Sequence, residues 1–229
     1  MALISDAGVE FLLRWLHLLA GITWIGLLYY FNFVQGPFFA EADAATKSTA
    51  TQKLVPRALW WFRWAAMLTC LSGATIILKR GDFSSPWAMA ILTGAAFGTL
   101  MFLNVWLVIW PNQKVVIANA VATGGGQAAN PVAPAAARRA FLASRTNVVF
   151  SIPMLFLMGS ASHLAMARPR SGFVFWIVAL VIMALIEWNA LTATAGKGAA
   201  KPLATVSGTL WSGFVLTAIV YVWFEIMRA

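Results

Sequence analysis

Six stretches of predominantly apolar residues, roughly 8–35, 55–78, 86–111, 145–166, 172–193 and 203–227, alternate with shorter polar segments. Each runs to about 20 residues or more, enough to carry a helix across a ~30 Å hydrocarbon core. In lipid the backbone finds no partner except within its own helix or a closed barrel. The pattern therefore predicts an all-α fold, a polytopic integral membrane bundle of about six transmembrane helices forming a single membrane domain over residues 1–229. Gly36-Pro37 is expected to close the first helix and Pro111 the third, since proline lacks an amide and fixes φ. Ser85-Pro86 opens the third helix with a cap residue and a first-turn proline. Pro153 falls inside the fourth and should bend it. The third loop, about 112–144, is the long one. Its centre, Thr123 to Pro131, is rich in glycine and reads as a flexible cytoplasmic connector. Its flanks, Asn112–Ala122 and Ala135–Ser144, are expected to extend the adjoining helices.

Charge then orients this array. The first, third and fifth loops hold Lys47, Lys53, Arg57, Lys114, Arg138, Arg139, Arg145, Lys197 and Lys201. The second and fourth hold Lys79, Arg80, Arg168 and Arg170. The positive-inside rule puts the odd loops in the cytoplasm and both termini outside. The net charge of +9 sits mainly between spans in a chain that is 61 % hydrophobic, so it reads as topology signal and lipid-headgroup contact, with no nucleic acid partner implied. Cys70 is the single cysteine, which excludes an internal disulfide, and no Cys-x-x-Cys-His site for a covalent haem occurs.

The two histidines bear the first candidate chemistry. His17 lies inside the first apolar run, and an ionisable ring at that depth points to a functional site. His163 lies near the end of the fourth span, at a similar outward depth in this topology. Gly21 follows His17 by four residues and Gly159 precedes His163 by four, so each histidine has a glycine one turn deeper on its own face. Such a pair offers flat slots for a porphyrin, with two neutral imidazoles as axial ligands of a b-type haem iron. Arg14, Arg168 and Arg170 stand where they could meet propionates. The alternative is a histidine that hydrogen-bonds a neighbouring helix and glycines that serve helix packing. A zinc or copper site fits less well, for lack of further ligands.

A second set of polar residues gathers towards the cytoplasmic half: Asn32, Gln35, Arg63, Asn104, Arg145, Asn147, Ser151, Glu187 and Asn189. Buried charges need partners, and Glu187 is expected to face a basic group, Arg63 above all. Asparagine and serine can equally glue membrane helices together, and Asn112, Gln113 and Lys114 can cap a helix end.

Three separated stretches carry a family resemblance. Trp15-Leu-His-Leu-Leu-Ala-Gly-Ile-Thr-Trp-Ile-Gly-Leu-Leu-Tyr-Tyr-Phe-Asn-Phe33 resembles the opening helix of the urate oxidase N-terminal membrane domain family. Asn104 with Trp110-Pro-Asn-Gln-Lys114, and Ser144-Arg-Thr-Asn-Val-Val-Phe-Ser-Ile-Pro-Met154 followed by His163, resemble its later motifs. More distantly, the histidine of the first helix is similar to that of small haem-binding membrane proteins of the protoporphyrinogen oxidase type. The resemblance implies a multi-pass protein of the bacterial inner membrane that oxidises urate or a similar donor and passes electrons to a periplasmic cytochrome c. Members usually carry a C-terminal cytochrome c domain. This sequence ends at Ala229 after the sixth span, so either a separate cytochrome c is expected or the oxidase activity is lost. On this reading Glu187, Arg63 and Asn104 are candidate catalytic residues, and Glu187 would take a proton. Asn147, Arg145 and Gln113 would bind the purine edge, and Trp60, Trp64 or Trp188 would stack on its face. His17, His163, Gly21, Gly159 and Arg14 would hold the haem. The alternative is a non-catalytic membrane subunit of a larger respiratory or photosynthetic complex. A transporter is disfavoured, because no matching pair of broken helices occurs.

Overall fold

The computed structural model describes residues 2–164, 166–194 and 196–228; Ala229, where the sequence was expected to end beyond its sixth span, lies outside the described residues. The first span begins with α1 (Asp6–Tyr29), capped by Ser5, whose Oγ accepts from Gly8 N at 3.2 Å. It continues without a break through a π-helical segment (Tyr30–Gln35) into α2 (Gly36–Glu41). A short helix, α3 (Ala44–Lys53), follows in the first loop, and α4 (Val55–Arg80) is the second span. The third span runs from α5 (Pro86–Leu103) through a second π-helical segment (Asn104–Ile109) into α6 (Trp110–Gly124). Then come α7 (Ala133–His163), α8 (Gly172–Thr192) and α9 (Val206–Ile226). Among the described residues six helical stretches are long and apolar enough to cross a membrane, and the only bridge of β type is the isolated pair Pro169 and Arg228. The chain is an all-α, multi-pass membrane protein.

The prolines expected to close two helices do not close them. In each case a π turn stands immediately before the proline. Gly36 N–H reaches back to Phe31 O, and Trp110 N–H to Val105 O, five residues earlier in both. Proline removes one ladder bond and crowds the carbonyl four residues back. A turn already widened to five-residue spacing absorbs both defects, so the helix runs on through Pro37 and Pro111. As the flanks of the third loop suggested, α6 and α7 extend well into it. Ser85 also behaves as expected: its Oγ accepts from Ala88 N at 3.1 Å and its hydroxyl donates to Asp82. That hydroxyl, with the Ser85 and Ser84 amides and nearby Arg80, holds the Asp82 carboxyl below its ordinary range.

The chain divides into two compact units, one taking in residues up to Ile76 with Phe102–Ser144, the other Ile77–Met101 with the residues from Arg145 onward. In the first, the polar helix α3 is pinned at both ends. Thr46 N and Thr46 Oγ1 donate to the two oxygens of the Asp43 cap, each at 2.8 Å. Gln52 Nε2 donates to Ala120 O on α6 at 3.0 Å. Gly124 leaves room there: a Cβ would stand 2.7 Å from that same Nε2 and push the Gln52 amide aside. Deeper in the unit, Phe31 meets Phe62 edge-on with ring centres 5.5 Å apart. Asn32 Nδ2 donates to Ser144 Oγ at 2.8 Å.

The second unit is organised by small-residue contacts, as lipid-embedded helix packing requires. A Cβ on Gly94 of α5 would touch Leu157 Cβ and Met158 Cε of α7 at 3.3 Å, and one on Gly98 would touch Met154 Sδ at 3.3 Å. Gly213 of α9 abuts Ile152. Phe97 packs on Phe150, and Phe175 on Phe224 with centres 4.5 Å apart. Consistent with these contacts, α7 has 67 % of its span buried, against 22–33 % for the other spans.

Candidate functional site

α1 presents one continuous face to its neighbour: Ala20, Trp24 and Leu28 are buried along it, and His17 stands half-buried at its start. The His17 ring meets α4 at Ser72, with Nδ1 3.1 Å from Ser72 Oγ. Ser72 has one proton to give, and carbonyls of its own helix take it, Leu68 O at 2.7 Å and Thr69 O at 3.1 Å. With its proton on one of those carbonyls, Ser72 Oγ accepts from His17 Nδ1–H. The neutral tautomer that donates there carries its lone pair on Nε2. The glycine against this ring is Gly73, on the facing helix. A Cβ on Gly73 would lie 2.9 Å from His17 Cε1 and 3.3 Å from Nδ1, whereas one on Gly21 meets nothing nearer than Thr69 Cγ2 at 4.0 Å. A Cβ on Gly159 would have open space around it.

The other expected cofactor residues are placed as follows. His163 is the last residue of α7 and is exposed; it belongs to the second unit and His17 to the first. Arg14 forms an ion pair with Glu10 on an exposed face of α1. Arg170 is tied to the end of the chain, its backbone N to Met227 O and its Nε to Arg228 O, both at 2.7 Å.

A second concentration of charge lies in the first unit, around Arg63 of α4. Its guanidinium carbon stands 3.8 Å from the ring centre of Trp110 and 5.9 Å from that of Trp106. Lys114 Nζ lies 5.6 Å from the same Trp110 ring, and Trp64 meets Trp106 edge-on at 5.5 Å. Trp106 lies within the second π segment and Trp110 ends it, so the irregular turn sets the two indoles beside the cation. Arg63 Nε and Trp106 Nε1 are buried with no hydrogen-bond partner among the described residues, as is Gln35 Oε1 at the end of the first π segment. Buried polar atoms without partners are rare enough to need an explanation.

The remaining predicted residues divide between glue and position. Asn147 is fully buried and donates from Nδ2 to Met101 O at 3.0 Å, a helix-to-helix bond. Asn104 is buried within its π segment, and Arg145 is buried on α7. Gln113 is half-buried on α6, and Asn112 donates to Val108 O, four residues back, at 2.8 Å. Glu187 is half-buried on α8, in the second unit, whereas Arg63 is in the first. Trp60, Trp64 and Trp188, proposed to stack on a purine, are all exposed.

Comparison with known families adds one finding. The model for the urate oxidase N-terminal region matches residues 81–223. This chain belongs to that family. No curated protein and no solved structure matches it. The urate oxidase N-terminal match takes in Asn104, Trp106, Trp110, Gln113, Lys114, Arg145, Asn147, His163 and Glu187; His17 and Arg63 lie on the two spans before it. Trp106, Trp110 and Lys114 went unnoticed as partners of Arg63. Their signal was in the sequence all the same, two tryptophans and a cation at four-residue spacing on one helical face.

Proposed function

We propose that this member of the urate oxidase N-terminal family is a membrane redox protein. It would bind haem b through His17, take electrons from urate or a similar reduced donor, and deliver them to a cytochrome c on the periplasmic side of a bacterial inner membrane. The observation that carries this is the His17–Ser72 contact: with Nδ1 3.1 Å from Ser72 Oγ, the tautomer that donates from Nδ1 would offer Nε2 to a metal, the arrangement that outer partners of metal-bound histidines impose. When bound, such a haem would supply one-electron redox chemistry.

The chain's own residues would do the rest. Ser72 holds the tautomer, and Gly73 lets the ring lie against the helix backbone. Two-electron oxidation of a purine donor releases protons, for which Glu187 is the proposed acceptor, and it needs two one-electron acceptors in succession, the role assigned to cytochrome c. The test is a reduced-minus-oxidised absorption spectrum of the purified protein, with His17→Ala and His163→Ala beside it. An α-band lost in His17→Ala supports the reading. A folded wild-type sample with no α-band after haem supplementation sinks it. Haem without urate-dependent reduction would leave the alternative, a non-catalytic electron-transfer subunit of a larger complex.

A further inference from the structure

We infer that Arg63, with Trp110 as its stacking face and Trp106 and Lys114 beside it, anchors a binding site for a flat organic monoanion. This inference rests on the reading above that reduced donor is taken up within this membrane domain, and it names the chemistry of the uptake site. Four observations converge. Arg63 lies within a span long and apolar enough to cross a membrane, yet none of the ion pairs found among the described residues includes it. A charge on such a helix without a counter-charge points to a ligand path or site. Its Nε and the neighbouring Trp106 N–H are buried donors without an acceptor among the described residues. A second cation, Lys114, stands over the same indole that Arg63 covers.

The shape of the ligand follows from the geometry. The guanidinium carbon 3.8 Å from the Trp110 ring centre sets the Arg63 N–H fork beside an indole wall. That fork matches a planar edge carrying two acceptors. Aromatic walls beside it favour a ligand with a face of its own. Sulfate and phosphate carry the charge but have no such face, and a lipid phosphodiester shares only the charge.

The experiment is equilibrium dialysis of the full chain in phosphatidylcholine nanodiscs, with labelled urate and labelled benzoate as probes and hypoxanthine and sulfate as competitors. The two flat anions should bind and displace each other, while neutral hypoxanthine and tetrahedral sulfate should not compete. Arg63→Met should weaken binding about tenfold or more, the value of a charge-assisted hydrogen bond, and Arg63→Lys should recover part of it. The exposed Lys114→Ala should weaken binding a few-fold; it keeps the test alive if Arg63→Met does not fold. Equal affinity in wild type and the Arg63 and Lys114 variants would overturn the proposal. So would competition by sulfate as strong as by benzoate, or loss of binding on adding phosphatidylglycerol at constant ionic strength, which would make this a headgroup site. Binding that survives while urate fails to reduce the protein would leave this site standing and remove the redox reading. Urate-dependent reduction indifferent to Arg63 would do the reverse.

Discussion

Gly73→Ala separates stability from ligand geometry. The added methyl would stand 2.9 Å from His17 Cε1, inside any real carbon contact, so the imidazole must swing away and lose its bond to Ser72. That bond is worth about 0.5–1.5 kcal/mol. Against it, alanine in place of glycine in a helix interior gains about 0.8–1 kcal/mol. The two nearly cancel, and thermal unfolding in detergent should shift by less than the equivalent of about 1 kcal/mol. Haem binding should respond very differently. Disturbing an outer partner of a metal-bound histidine typically lowers affinity by about 10–100-fold, so haem titration followed by absorption should show a loss of that order. Gly21→Ala is the control. Its methyl meets Thr69 Cγ2 at 4.0 Å, an ordinary contact, so it should keep both haem and stability. Unchanged haem affinity in Gly73→Ala, or its loss in Gly21→Ala, would refute the assignment of Gly73 as the residue that seats His17 and restore the slot expected on α1 itself.

Three further outcomes follow from the packing and the caps. Asn147→Leu should destabilise by about 1–3 kcal/mol, because it leaves Met101 O buried without this donor, whereas Gln113→Ala should stay within about 0.5 kcal/mol; denaturation in mixed micelles reads both. Gly94→Leu forces bulk into a contact already at 3.3 Å, and overpacking of that kind costs about 1–3 kcal/mol, seen as a lower melting temperature. The Asp43 carboxyl is held below its ordinary range by the Thr46 amide and hydroxyl. A depressed folded pKa stabilises above the unfolded value of about 3.9 and loses that effect as pH falls through the folded value. Hydrogen exchange in α3 should therefore differ between wild type and Asp43→Ala by a constant factor at neutral pH, and the difference should shrink below about pH 4. A difference that does not change with pH would show that the cap acts without its charge.

The spans were legible because lipid demands length and apolarity, and both are written residue by residue. So were the Ser85-Pro86 helix start and the helical flanks of the third loop, since capping chemistry is local. Pro37 and Pro111 misled for the opposite reason. A proline's effect depends on the hydrogen bonding of the turn before it, and residues 30–35 and 104–109 carry no mark in their apolar pattern that distinguishes a five-residue spacing from a four-residue one. Gly73 was illegible on other grounds. Which glycine faces His17 depends on how α1 and α4 are rotated about their own axes, and Gly21 and Gly73 look alike until that rotation is known. The Arg63 cluster lay between these cases: its spacing was visible, but asparagines and glutamates drew attention that belonged to tryptophans.

The π segments also change how these two helices should be counted. Each accommodates one residue more than regular winding would, and one residue is about 100° of rotation. Everything after Gln35 in the first span, and after Ile109 in the third, is thus phased about a quarter-turn away from the side that a uniform count from His17 or from Pro86 assigns. A helical wheel drawn through either span merges two faces that the molecule keeps apart. Removing a single residue from Tyr30–Gln35 would act as a frame shift in three dimensions, keeping composition and hydropathy almost intact while turning Pro37, Phe38 and the approach to α3 towards different neighbours. In these helices the length of the chain, as much as the identity of its residues, decides which side chains meet.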